Sequence, residues 1–90
     1  MSTLHLPLKG IYFDQIKSGK KTLEYREATP FWDKRLLDRK YDQIVLTKGY
    51  PKKGDPERTI YRPWQGCYKK FIQHEHFGDR MVEVYAILVN

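Results

Sequence analysis

The stretch GKKTLEYR, residues 19–26, decides how this chain is interpreted. Along residues 20–26 the side chains alternate in the period-two pattern of a β-strand. If the strand is regular, Thr22, Glu24 and Arg26 lie on one of its faces. The sequence therefore predicts a strand that carries a hydroxyl, a carboxylate and a guanidinium side by side.

A strand and a helix are predicted before this stretch. Residues 4–8 alternate leucine with polar residues and proline, and Pro7 indicates that this strand lies near a sheet edge. Phe13 and Ile16 then fall on one helical face, and Gly19 is a typical C-terminal stop. We therefore expect a strand and a short helix directly before the motif.

The rest of the chain reads as short strands with one further helix. Thr29 is a suitable N-cap for a brief helix over residues 30–36, because proline follows it in the first turn. Residues 48–57 read as an exposed basic loop. Further strands are predicted over residues 41–47, 58–62, 68–73 and 81–89, the last of them buried on both faces. This content predicts an α+β fold, a small closed or nearly closed β-barrel of about six strands with one or two short helices.

Composition limits the class of protein. Ninety residues suffice for a single domain, residues 1–90, and the net charge of +6 favours anionic partners such as nucleic acid or nucleotides. Cys67 is the only cysteine, which excludes an internal disulfide and fits a reducing compartment. With no signal peptide or membrane span apparent, we expect a cytoplasmic protein with no membrane partner. The small size and a closed barrel favour a monomer.

The spacing of Gly19, Lys21, Glu24 and Arg26 matches the pattern G-x-K-x-x-E-x-R of ASCH domains, which are small relatives of the RNA-binding PUA fold. The chain resembles that family over nearly its whole length. The resemblance implies a PUA-like β-barrel whose motif lines a cleft at one end. Members resemble RNA-binding or coactivator modules, some behave as ribonucleases, and one branch of small bacterial enzymes hydrolyses N(4)-acetylcytidine to cytidine and acetate.

The resemblance to that enzyme branch implies catalytic roles for Lys21, Thr22 and Glu24. Lys21 matches the family's lysine, whereas Glu24 stands where the family has its threonine. Amide hydrolysis needs a base, an oxyanion partner and a proton for the leaving amine. We favour Glu24 as base and proton shuttle, with Lys21 and Arg26 stabilising the oxyanion and holding the carboxylate. The inverse assignment has Lys21 as base and Thr22 or water as nucleophile.

Substrate-binding residues are expected around this motif. Arg26, Lys9 and Tyr12 are candidates near it, and Arg62 with Trp64 places a cation and an indole at one turn. Aromatic side chains at the ends of elements, Trp32 among them, are suited to stack on a pyrimidine. The expected ligand is an acylated cytosine nucleoside or RNA.

Three other readings remain open at the level of sequence. The same residues fit a non-catalytic RNA-binding module whose loop, including Lys52 and Lys53, contacts phosphates. A ribonuclease ranks below both the hydrolase and the RNA-binding module. A plain ion-pair ladder on a strand would also explain the motif. His74 and His76 share a strand face, but two ligands are too few for zinc, so we predict no metal and no cofactor.

Overall fold

The computed structural model describes residues 2–52, 55–73 and 78–90. Within these ranges it contains six strands, two α-helices and one 3₁₀ turn, Pro56–Arg58. The elements are β1 (Thr3–Leu8), α1 (Gly10–Lys17), β2 (Leu23–Glu27), α2 (Pro30–Leu36), β3 (Gln43–Lys48), β4 (Thr59–Pro63), β5 (Cys67–Gln73) and β6 (Met81–Leu88). The predicted α+β class is confirmed at this level.

The six strands form two three-stranded sheets. The first sheet has the order β1-β3-β4, with β1 parallel to β3 and β3 antiparallel to β4. The second sheet has the order β2-β6-β5 and is antiparallel throughout. β1 therefore lies at an edge, as Pro7 predicted, because proline has no N–H to donate to a neighbouring strand.

One hydrophobic cluster joins both sheets and both helices. Alternation directs the leucines of β1 and two residues of β6, Tyr85 and Ile87, into it, and each helix adds buried apolar residues. Burial of apolar surface at about 25 cal/mol per Å² is the dominant stabilising contribution. The cluster contains Leu4, Leu6, Leu8, Phe13, Ile16, Leu36, Ile44, Leu46, Ile60, Tyr85, Ile87 and Val89.

Both predicted helices are confirmed, together with their local signals. Thr29 caps α2 through a hydrogen bond that its hydroxyl accepts from the Trp32 backbone N–H. Gly19 follows α1 with φ of +84°, a left-handed conformation that a residue with a Cβ rarely adopts. β6 is buried on both faces as predicted, because Val84 and Ala86 are as inaccessible as Tyr85 and Ile87 on the core side.

The predicted strand over residues 20–26 needs correction at its start. β2 begins at Leu23, because the chain is still turning out of α1: the Lys21 N–H donates to the Gln15 carbonyl at 3.0 Å. Lys21 and Thr22 therefore precede the strand. The side of the sheet on which they lie does not follow from strand alternation.

The described helices are eight and seven residues long, and neither has the length or apolar character to cross a bilayer. Several features of the sequence lie outside the described residues. These are the histidine pair His74 and His76, and Lys53 of the basic loop.

Candidate functional site

Glu24 is a charged residue in a position that normally holds an apolar one. It lies on β2 opposite Ile87 of the core, and only 4% of its surface is exposed. Within the described ranges it is the one buried polar or charged residue. A buried carboxylate is costly unless cations and hydrogen bonds compensate it, so its partners define the candidate site.

Arg26 holds one oxygen of this carboxylate. Its Nη1 donates to Glu24 Oε2 at 2.5 Å and also to the Tyr25 carbonyl at 3.2 Å. Its Nη2 donates to the Pro7 carbonyl at 2.9 Å, which ties β2 to the edge of β1. The indole of Trp32, from α2, lies 5.3 Å from the guanidinium. Arg26 is therefore held in place by protein acceptors and positions the carboxylate.

Lys21 approaches the other oxygen. Its Nζ lies 3.5 Å from Glu24 Oε1, which is longer than a typical charged hydrogen bond. The same ammonium lies 5.3 Å from the ring centroid of Tyr12 on α1 and 5.4 Å from that of Tyr25. With 19% of its side chain exposed, Lys21 stands between the carboxylate and solvent. We call Lys21, Glu24 and Arg26 the Glu24 cluster.

The structure thus brings together four of the predicted site residues: Lys21, Glu24, Arg26 and Tyr12. Thr22 and Lys9 are exposed, and within the described part of the chain no side-chain hydrogen bond or ion pair joins either to the Glu24 cluster. The Thr22 carbonyl accepts the Val89 N–H at 3.0 Å, so the backbone of this residue is used in the fold.

Arg62 and Trp64 contact a different part of the molecule. Arg62 Nε donates to the Asn90 side-chain oxygen at 3.2 Å, and the Asn90 amide donates to the Lys21 carbonyl at 2.7 Å. Trp64 packs edge-on against Tyr41 with centroids 5.2 Å apart and contacts the core cluster. Arg62 therefore reaches the backbone of Lys21 through Asn90, and among the described residues no hydrogen bond or ion pair joins Arg62 or Trp64 to Glu24.

Sequence reasoning missed two contributors to this region. Tyr25 follows Glu24, so alternation directs its ring to the other face of β2, where the ring centroid lies 5.4 Å from Lys21 Nζ. The Pro7 carbonyl, which binds Arg26, carries no side-chain signal at all. The alternation of the motif could have suggested Tyr25, whereas the carbonyl depends on how the two sheets meet.

Two other titratable groups near the core, Cys67 and Tyr85, have raised pKa values. Burial raises the pKa of the Cys67 thiol, so this residue stays protonated and fits its interpretation as a packing residue. Burial, followed by its hydrogen bond to Asp33, raises the pKa of Tyr85 well above the usual tyrosine range. The Tyr85 hydroxyl donates to Asp33 Oδ1 at 2.5 Å and ties α2 to β6.

Outside the Glu24 cluster, the described residues form a surface groove but no metal site. Across residues 2–52, 55–73 and 78–90, no three His, Cys, Asp or Glu side chains come together as a metal site. A surface groove of about 530 Å³ runs along α1, and its lining includes Asp14, Gln15, Lys20 and Lys48. None of the residues predicted for catalysis or substrate binding lines this groove.

The Glu24 cluster combines a desolvated carboxylate, an immobilised guanidinium and a partly exposed ammonium. Such an arrangement can take up a proton on Oε1 and stabilise a developing negative charge through Lys21. Comparison with known proteins adds no relative: no family model, curated protein or solved structure matches the chain.

Proposed function

We propose that this chain is an ASCH-type, PUA-like domain that hydrolyses the amide of N(4)-acylated cytosine nucleosides at the Glu24 cluster. The observation that carries the proposal is the burial of Glu24 between Lys21 and Arg26 at 4% exposure. A carboxylate with one cation fixed and another movable is suited to acid–base work.

The proposed barrel would contain the two sheets as its halves, in the order β1-β3-β4-β5-β6-β2. Two features support this order. β4 and β5 are consecutive strands joined by residues 64–66, and Arg26 connects β2 to the Pro7 carbonyl of β1. Both sheets also contribute to one core cluster, which would fill the barrel interior.

In the proposed reaction, Lys21 moves away from Oε1 as the substrate enters. A water molecule attacks the acyl carbon while Oε1 of Glu24 takes its proton. The Lys21 ammonium stabilises the oxyanion, and Glu24 then passes the proton to the leaving N4 nitrogen. The carbon–nitrogen bond breaks to give the carboxylic acid and the free cytosine nucleoside. Arg26 positions Glu24 throughout.

Water is the nucleophile in this proposal, and the position of Thr22 favours that choice. Its side chain is exposed and precedes β2. The inverse assignment, with Lys21 as base, would require the Thr22 hydroxyl or a water to lie next to the ammonium. Thr22→Val tests the Thr22 nucleophile alone, because hydrolysis by water should continue in this variant whichever residue is the base.

The test is chromatography of N(4)-acetylcytidine after incubation with the protein. The wild type should release cytidine, and Lys21→Ala and Glu24→Gln should each lower the rate by about 100-fold or more. Lys20→Ala is the matched control, because Lys20 is the adjacent exposed lysine and has no contact with Glu24. If the wild type forms no cytidine, or Lys21→Ala forms as much, the proposal is wrong.

A second candidate is a non-catalytic RNA-binding module that uses the same cluster. The occupied oxygens of Glu24 favour it, because a carboxylate that two cations hold can support a binding site without taking part in acid–base chemistry. This alternative predicts RNA affinity that falls steeply with salt, without release of cytidine. Charge reversal at Lys52, in the loop before β4, should then make the salt dependence shallower.

A further inference from the structure

The outer face of the second sheet carries a row of two tyrosines around an alanine. Tyr25 on β2 and Tyr68 on β5 both pair with Ala86 on β6. Because Tyr85 and Ile87 belong to the core cluster, alternation directs Ala86 and its row to the opposite face. We call Tyr25, Ala86 and Tyr68 the outer row.

The outer row has the shape of a stacking platform. Strands lie about 4.8 Å apart, so the two tyrosines stand about 10 Å from one another across the small alanine. Tyr68 is 47% exposed, while Ala86 below is fully covered. An aromatic ring exposed in this way on a sheet can stack on any base, because every base has a π face.

Lys70 brings a positive charge next to the outer row, from the neighbouring row in which it pairs with Val84 of β6. It belongs to β5, yet its Nζ lies 5.4 Å from the ring centroid of Tyr25 on β2, so its side chain crosses β6. Lys21 lies at the same distance from that ring. Among the described residues, Lys70 forms no salt bridge with a carboxylate. Glu27 of β2 lies in the same row as Lys70, because it also pairs with Val84, but no ion pair joins the two side chains.

We propose that the outer row with Lys70 binds a single-stranded RNA, with the Lys70 ammonium on a backbone phosphate and Tyr68 stacked on a flanking base. Phosphate contacts hold a strand in place, and aromatic stacking supports neighbouring bases without regard to sequence. The net charge of +6 supports a polyanion as the occupant.

The two sites are contiguous through one side chain. Lys21 contacts Glu24 on one side and the Tyr25 ring on the other, so a strand bound at the outer row ends beside the Glu24 cluster. RNA binding at the outer row does not depend on the proposed hydrolysis. Only the claim that one base of the bound strand enters the Glu24 cluster rests on the proposed function. It extends that function by naming the substrate as a cytidine within RNA.

The experiment measures binding of a fluorescently labelled cytidine hexanucleotide by anisotropy at several salt concentrations. Cytidine, cytidine monophosphate and inorganic phosphate serve as unlabelled competitors. The hexanucleotide should bind at least tenfold more tightly than the monophosphate. Lys70→Gln should reduce the slope of log affinity against log salt by about one, and Lys70→Arg should restore it. Tyr68→Ala should weaken binding without changing the slope.

Lys40→Gln is the matched control, because it removes one exposed lysine in the loop between α2 and β3 and lowers the net charge equally. If Lys40→Gln reduces the salt slope as much as Lys70→Gln does, the proposal is overturned, because RNA would then respond to the overall positive charge and not to Lys70. Equal binding of hexanucleotide and monophosphate would overturn the RNA assignment. Failure of cytidine release, with Lys70-dependent RNA binding intact, would count against the hydrolase alone, so the two proposals fail separately.

Discussion

Arg26 and Arg62 are two arginines at strand positions that face the interior, and they behave differently. Arg26 bonds a buried carboxylate and the Pro7 carbonyl of the other sheet. Arg62 bonds a neutral amide, that of Asn90, and the carbonyl of its own neighbour Tyr61. A guanidinium contributes most to stability where it compensates a charge that water cannot reach.

The largest effect is expected from removing Arg26. Arg26→Ala leaves the Glu24 carboxylate buried with Lys21 as its remaining cation. Breaking a fully buried pair costs roughly 3–5 kcal/mol, and the partial exposure of Arg26 reduces this to about 2–3 kcal/mol. Urea unfolding measures the loss. The double variant Arg26→Ala with Glu24→Gln should recover part of it, and if the double variant is no more stable, the buried charge is not the cause.

Removing a buried hydroxyl should lower the free energy of unfolding less than removing the partner of a buried charge. Tyr85→Phe removes the hydrogen bond to Asp33, but Asp33 is only half-buried and can regain water. We expect a loss of about 1–2 kcal/mol in the free energy of unfolding. Tyr61→Phe is the control, because Tyr61 is exposed and should change stability little. An equal loss in both variants would contradict the role of the Asp33 bond.

Tyr85 should also make the free energy of unfolding depend on pH. Its folded pKa is raised above the usual value of about 10, so folding favours the neutral hydroxyl. Its contribution is complete below pH 10 and is lost as pH rises further, because the unfolded chain ionises first. Unfolding free energy measured between pH 9 and 11 should therefore decline more steeply in the wild type than in Tyr85→Phe. Parallel curves would show that another group dominates.

The smallest effect is expected at Arg62. Arg62→Ala removes a bond to an exposed amide, so the free energy of unfolding should change by less than about 0.5 kcal/mol. Release of cytidine should also be unchanged, because Arg62 reaches only the backbone of Lys21 through Asn90. A clear loss of cytidine release in Arg62→Ala would place Arg62 in the site and remove the contrast between the two arginines.

Much of the local structure could be predicted from residue patterns. Thr29 and Gly19 delimit helices because capping and positive φ are local properties. The start of β2 was predicted too early, since the bond from Lys21 to Gln15 continues the turn after α1 and alternation does not report it. That Arg62 bonds Asn90 and Trp64 packs on Tyr41 could not be predicted, because a cation beside an indole gives no sign of which distant residues it will meet.

The sequence by itself determined the α+β content, the approximate strands and the motif residues, because hydrophobic period and caps depend on neighbours in the chain. Tertiary structure alone decided that Glu24 is buried, that Arg26 reaches the Pro7 carbonyl, and that Lys70 crosses β6 to Tyr25. The physical reason is that these contacts form where strands distant in sequence meet. How deeply a side chain is buried, and how close two charges come, depend on that packing and not on the local sequence pattern.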